Sequence, residues 1–278
     1  MTMQNIDRRT VDGFGDEWAK FDQSPVSARE LAEIFDDYFA NFPWDTLPEK
    51  AEGFDAGCGS GRWAALVAPR VGKLHCIDAS DQALDVARKN LAHLDNCAFE
   101  HSSVQEMPMA DDSMDFGYSL GVLHHVPNTA AALQACAQKL KPGAPFLLYL
   151  YYAFDNRPIW FRAIWKVSDL LRYAMFRLPK PILTPLTDVI AACVYWPLAR
   201  MSGLLERAGV NVDTIPLSYY RTLSFYSMRT DSRDRFGTRL EQRFTKAEIM
   251  KLMESAGLGE ISFSEKAPFW VAVGRRPR

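Results

Sequence analysis

The chain has 278 residues, enough for one large domain or a domain carrying a cap, and its 48% hydrophobic and 24% charged residues are ordinary for a globular protein. A net charge of −2 excludes the broad basic field that favours nucleic acid. Cys58, Cys76, Cys97, Cys136 and Cys193 form no C-x-x-C pair, so reduced, packed thiols in a cytoplasmic protein are expected. No charge-free apolar run reaches about eighteen residues and the N-terminus lacks an apolar signal core, so neither a membrane span nor a signal peptide is expected.

Residues 1–12 read as disordered, and Gly13–Phe21 as aromatic rings on a short polar frame. Ser27 with Glu30 forms a capping-box pattern opening a helix whose apolar face is Leu31, Ile34, Phe35, Tyr38 and Phe39, stopped by Pro43. From Gly53 onwards strands and helices alternate, which predicts a parallel sheet covered on both faces. A strand at Gly53-Phe54 runs into the glycine-rich turn Asp55–Gly61 and a helical stretch, Arg62–Ala68. Leu74–Ile77 is the second strand, ending at Asp78, and Ser80 caps a helix over Asp81–Leu94. Ala98-Phe99 belongs to the third strand and Met114–Leu120 is the fourth. Ala130–Leu140 is a helix stopped by Pro142-Gly143, and Phe146–Tyr152 is the fifth strand, apolar enough for full burial.

About ninety residues of aromatic, basic and proline-punctuated sequence then intervene. Within them Ile159–Leu178 has helical apolar spacing, and a second apolar segment, Val189–Leu205, is broken by Pro197. Thr245 with Glu248 caps a helix carrying Ile249, Leu252 and Met253, which Gly257 ends. Ile261–Phe263 and Phe269–Val273 supply a closing antiparallel pair.

Glycine is required where backbone turns tightly beside a ligand, and a helix start just beyond adds unpaired N–H groups. A dinucleotide-binding turn, G-x-G-x-x-G, would need glycine where Arg62 stands. The actual spacing, Asp55-Ala-Gly-Cys-Gly-Ser-Gly61, resembles the first motif of class I S-adenosylmethionine-dependent methyltransferases. Asp78, Leu123-His124-His125-Val126 and Leu140-Lys141-Pro142-Gly143 continue the resemblance in order over residues 50–152.

The resemblance implies an α/β, Rossmann-like doubly wound sheet, mostly parallel with an antiparallel last strand, plus an inserted, mainly helical cap. It divides the chain into an N-terminal helical lid (1–48), a cofactor-binding core (49–152), the cap (153–243) and a C-terminal completion of the sheet (244–278). The implied cofactor is S-adenosyl-L-methionine. Gly57, Cys58, Gly59 and Gly61 would let backbone approach it, Asp55 would order that loop, and Asp78 with Ala79 would hold the ribose side. Ser103 and Val104 would meet the adenine, with Ser103 replacing an acid common in the family, and the Leu120 carbonyl would face the methionine amino group. Phe14 and Trp18 would contact the cofactor from the lid, the alternative being that they pack the N-terminal segment on the domain.

His124 and His125 lie just past the fourth strand, where open α/β sheets place their chemistry, and either could deprotonate an acceptor. Tyr152, Tyr219, Tyr220 and Arg221 are candidates for binding the acceptor, while Arg229–Arg235 is read as an anion-binding stretch or a solvated charged hairpin. Ser119-Leu-Gly-Val122 departs from the Asn/Asp-Pro-Pro-Tyr of base methylases, so no nucleic-acid substrate is expected, and no metal-ligand spacing is present. The expectation is methyl transfer to a small molecule. The alternatives are a membrane-surface enzyme with a lipid-like acceptor and a silent partner subunit. Peripheral membrane contact is weighed but not favoured: the cap helix is expected to turn its apolar face to the acceptor and its charges to water.

Overall fold

The structure, a computed structural model, describes residues 4–278. Its elements in chain order are α1 (Arg8–Lys20), α2 (Ala28–Phe39), β1 (Glu52–Ala56), α3 (Ala64–Val67), β2 (Lys73–Asp78), α4 (Asp81–Asn90), β3 (Cys97–His101), β4 (Phe116–Leu120), α5 (Thr129–Lys139) and β5 (Pro145–Tyr149). There follow α6 (Ile159–Met175), α7 (Lys180–Ile190), α8 (Trp196–Arg207), α9 (Phe225–Gly237), α10 (Lys246–Ser255), β6 (Gly259–Phe263) and β7 (Val271–Arg275). The chain divides into two compact units. One comprises the residues up to Ser24 with Ala32–Ala153 and Leu240–Arg278, and the other Pro25–Leu31 with Phe154–Arg239.

The first unit holds a seven-stranded sheet ordered β3-β2-β1-β4-β5-β7-β6, with β1 to β5 parallel and β7 antiparallel to both its neighbours. This is the Rossmann-like doubly wound sheet with its antiparallel end. Short βα connections make the parallel strands point their C-terminal ends the same way, which gathers the loops after β1, β2 and β4 at one edge. The centre is locked by two reciprocal glycine–phenylalanine pairs between β1 and β4. Gly53 lies opposite Phe116 and Phe54 opposite Gly117, and a Cβ on either glycine would fall 2.2–2.3 Å from the facing ring. Only glycine leaves room for an aromatic ring directly over the neighbouring strand.

Helix α1 begins inside the stretch expected to be disordered, of which residues 1–3 lie outside the described residues, and runs on through most of the aromatic frame. Asp7 caps it by accepting from the Thr10 amide at 2.9 Å, and Gly15 lets it approach α4, since a Cβ there would be 2.5 Å from Ser80 Oγ. Its stability therefore comes from packing, which residue preference alone does not reveal. The helix after the glycine turn is shorter than expected, only Ala64–Val67, because Pro69 tightens the chain into a 3₁₀ turn.

The second unit is helical. The long apolar segment is continuous through Pro197: a π-helical turn, Ala191–Tyr195, precedes α8 and absorbs the missing proline N–H, and Pro185 sits inside α7. Among the described residues this joint helix, Lys180–Arg207, is long and apolar enough to cross a membrane by length and composition, contrary to the reading of its parts. The charged stretch Arg229–Arg235 is part of α9 rather than a hairpin. Helices α6 and α7 both pack on it, and Met175, Leu183, Tyr195, Ala199, Met228 and Phe236 form the unit's apolar core. The Ser27–Glu30 capping box is half made. Ser27 Oγ accepts from the Glu30 amide, but the Glu30 carboxylate binds Ser224 and Ser227, at 3.0 and 2.6 Å, in place of the cap backbone.

The reciprocal pairing in the sheet makes a direct prediction. Gly53→Ala should destabilise the protein by about 1–3 kcal/mol or more through overpacking against Phe116, read as a lower urea midpoint. An unchanged midpoint would show that the ring moves freely and that the lock is illusory.

Candidate active site

The turn after β1 is shaped by backbone geometry. Gly57, Gly59 and Gly61 have φ of +88°, +54° and +78°, values that L side chains resist. Two of its amides, Gly57 and Cys58, donate to the Ile77 carbonyl at 2.8 and 2.9 Å, and the next, Gly59, donates to Asp78 Oδ2 at 2.9 Å. The other oxygen of Asp78 accepts from the Ser80 amide at 2.8 Å. Asp78 thus clamps the loop, the part expected of Asp55, while remaining half-buried at the end of β2.

Asp55 is buried beside Tyr118. Burial pushes its carboxyl up to about 8, partly offset by the Tyr118 hydroxyl and reinforced by the nearby Asp78 charge. Burial likewise raises Asp78. Three buried polar atoms at this turn, Asp55 Oδ2, Ser60 Oγ and Arg62 Nε, have no hydrogen-bond partner in the protein. Orphaned buried groups are costly, and a cluster of them with both acceptor and donor character fits a polar, zwitterionic ligand.

The remaining expected residues fall around this turn. Ala79 lines an open cavity of about 360 Å³, with Val11, Asp12, Asp16, Ser80 and His101 among its walls. Ser103 is buried and donates to the Glu106 carboxylate at 3.2 Å, with Val104 buried next to it. Leu120 ends β4, and the following Gly121, at φ +78°, opens onto space where a Cβ would meet nothing within 4 Å. From α1, Trp18 covers Gly59, whose Cβ would lie 2.9 Å from the indole, and Phe14 lies 4.8 Å from the His125 ring. These rings pack α1 on the domain, Trp18 against the glycine turn and Phe14 against the His125 ring.

His124 and His125 differ. His124 is fully buried, its ring 3.9 Å from that of Tyr151 at a tilt of 31°, and accepts from the Tyr151 amide at Nδ1; burial, then the neighbouring His125 and Arg243, hold it neutral, well below its ordinary value. His125 Nδ1 donates to the Leu240 carbonyl at 2.6 Å, which fixes the proton there and leaves the lone pair on Nε2. Sequence reasoning missed Leu240 and Gln242, whose amide donates to the His124 carbonyl. No motif marks them, because they meet the histidines through backbone over more than a hundred residues. Tyr152 packs on Phe269 in the first unit's core. Tyr219, Tyr220 and Arg221 belong to the second unit, where Tyr220 donates to Asp231 at 2.7 Å and Arg221 pairs with Glu206 at 2.8 Å. Among the described residues no cluster of three or more His, Cys, Asp or Glu could hold a metal, and all five cysteines are free.

Residues 54–148 match a family described as a methyltransferase domain. The core is a class I S-adenosylmethionine-dependent methyltransferase domain, and S-adenosylmethionine is its cofactor. The chain is 37% identical over 91 residues to a ubiquinone biosynthesis O-methyltransferase of Alkalilimnicola ehrlichii, covering 32% of this chain and 37% of that one. It is 25% identical over 168 residues to a sterol 4-C-methyltransferase of Caenorhabditis elegans, covering 59% and 49%. The chain thus spans less than half the length of these relatives. A putative methyltransferase from Bacillus halodurans shares the fold with a TM-score of 0.51 at 14% identity, over 90% of this chain and all of that one.

For the methyltransferase domain two outcomes follow. S-adenosylhomocysteine should bind in calorimetry, and Asp78→Ala should weaken it by roughly 1.5–3 kcal/mol through loss of a charge-assisted contact and of the Gly59 clamp; equal affinities would remove Asp78 from the site. The second concerns Asp55, which ionises near 4 in an unfolded chain but keeps its proton to about 8 when folded. The folded state binds the extra proton between those values, so this group's contribution to stability falls as pH rises from about 4 to about 8. Asp55→Asn should therefore lose less stability than wild type between about pH 5 and pH 8, and parallel denaturation curves would contradict the shift.

Proposed function

We propose that this protein transfers the methyl group of S-adenosylmethionine to the hydroxyl oxygen of a small, largely apolar acceptor, with His125 as general base. The observation that carries the proposal is the 2.6 Å bond from His125 Nδ1 to the Leu240 carbonyl. A ring anchored through Nδ1–H presents Nε2 as the proton acceptor, the arrangement that general-base histidines need. An acceptor that must lose a proton on methylation is best matched to such a base, and a hydroxyl is the simplest. Phe14 and Tyr151 flank the imidazole at 4.8 and 5.5 Å, which suits a flat apolar acceptor. The relative named for O-methylation in ubiquinone biosynthesis supports a hydroxyl acceptor, and the one named for sterol 4-C-methylation supports only its largely apolar character.

When bound, the cofactor supplies a methyl group already activated by its sulfonium charge. Asp55, Ser60 and Arg62 would hold its polar end through the atoms left unpartnered at the turn, and Asp78 its ribose side. His125 Nε2 would take the proton that the acceptor hydroxyl gives up on methylation. The rings of α1 over the turn exclude water from this step.

With a panel of phenolic and quinol acceptors, transfer of labelled methyl should be detectable. His125→Ala should lower turnover about a hundredfold while leaving S-adenosylhomocysteine affinity intact. A variant with wild-type turnover would remove His125 from the chemistry. Loss of cofactor affinity and stability in parallel with turnover would make it a packing residue.

A further inference from the structure

The second unit is built with its polarity reversed. Seen along α6, the face packed inward carries Ser168, Asp169 and Arg172 beside Phe161, Trp165 and Met175, while Trp160, Ile164, Val167 and Leu171 recur at helical spacing on the opposite side. Val167 is 68% exposed and neighbouring Leu170 72%. The expected amphipathic helix is therefore present with Arg162, Lys166 and Arg177 outward as expected, but Asp169 and Arg172 lie inside and the apolar stripe lies outside as well. Arg172 is buried, pairs with Asp169 at 2.9 Å and donates to the Thr238 carbonyl at 3.0 Å, and Arg235 of α9 reaches the same aspartate at 3.3 Å.

The helix Lys180–Arg207 repeats the pattern. Asp188, its one acid before Glu206, is held in a bidentate pair by Arg229 of α9 at 2.8–2.9 Å, and Ser232 donates to the Thr187 carbonyl. Ile182, Leu186 and Val189 form the outward stripe, and only 28% of the most apolar eighteen residues of this helix is buried. The π turn and Pro197 extend the apolar surface to Trp196. A core helix would bury such residues, and a solvated helix would not carry them.

Charge decides what covers this surface. Arg162, Lys166, Arg177 and Lys180 are exposed beside the stripes, whereas no exposed acid occurs between Ile159 and Leu205, because Asp169 and Asp188 are both turned inward into ion pairs. A two-fold contact with a second copy would set this basic rim near its own like charges. A bilayer with anionic headgroups complements both features, since the stripes enter the acyl boundary, the cations meet phosphates, and Trp160, Tyr173 and Trp196 suit the interfacial layer. The ion pairs behind each helix require that face to remain on α9 and out of hydrocarbon, so the helices lie along the surface and do not cross it.

We propose that the second unit docks on anionic phospholipid surfaces through the outward stripes of α6 and the α7–α8 helix, lying in the plane of the interface. This is independent of the acceptor assigned above. Flotation with vesicles of phosphatidylglycerol and phosphatidylcholine tests it. Wild type should float with anionic vesicles at physiological salt and less so as salt rises. The double variant Val167→Asp, Leu171→Asp should lose binding by about tenfold or more, because two exposed apolar anchors become anions. Arg162→Glu with Lys166→Glu should remove most of the salt-sensitive part. All four positions are exposed, so melting temperature and S-adenosylhomocysteine affinity should match wild type, which separates docking from the methyl-transfer reading. Absence of flotation at physiological salt would overturn the proposal. So would flotation unaffected by the aspartate variant, membrane association that survives high salt and carbonate extraction as a span would, or a wild-type dimer that the aspartate variant converts to monomer without any vesicle binding.

Discussion

Three consecutive amides, those of Gly57, Cys58 and Gly59, donate to two consecutive residues of β2, the carbonyl of Ile77 and the carboxylate of Asp78. For that to happen the chain must leave β1 and double back over the end of its neighbour, which demands positive φ at three positions in a row of alternating residues. Everything else at the C-terminal edge is arranged around this turn. Trp18 lies on it from α1, Leu91 and Ala87 of the α4 region crowd Gly61, and Val122 after β4 crowds Gly57. The glycines are needed on both sides of the backbone, for their torsion angles and for the side chains that press against them.

The same edge concentrates buried polar groups that the protein leaves partly unpaired. Asp55 and Asp78 are close enough for each to be affected by burial and one by the other's charge, so the pair carries an unfavourable electrostatic term in the absence of a counter-charge. A cationic ammonium, a sulfonium and a diol are the complement of such a site. His124, on the loop after β4, is held neutral by burial and then by the neighbouring His125 and Arg243 charges. The neutral His124 and the Nδ1-anchored His125 are thus two histidines of one motif given different work by their surroundings.

The second unit follows another logic. Its central helix α9 gives only Met228 and Phe236 to the apolar core and meets α6 and α7 also through Arg229, Ser232 and Arg235. Spending the polar residues of three helices on one another leaves their apolar residues outside. Such an interior gains little from the hydrophobic effect in water, and its six-residue apolar core is small for a unit of 93 residues. An apolar environment on the outer face removes that deficit.

The glycine spacing, Asp78, the strand–helix alternation and the Thr245–Glu248 box were legible in the sequence because each is a local requirement of torsion angle, cap or period; the box forms in full, with both hydrogen bonds present. So was the amphipathic pattern of α6, as a period. Which way that helix would turn was not legible, since a stripe of apolar residues fixes only that one side differs from the other. Tertiary partners on α9, seventy residues away, drew Asp169 and Arg172 inward, and ion pairs left half-made in a protein interior cost more than an exposed leucine. The helix at Arg8–Lys20 was likewise decided by packing against α4, which Gly15 permits and which no propensity announces. The clamp that Asp78 rather than Asp55 provides, and the anchoring of His125 through Nδ1, rest on backbone groups of Gly59 and Leu240. Every residue carries such groups, so only the fold can say which of them come within reach.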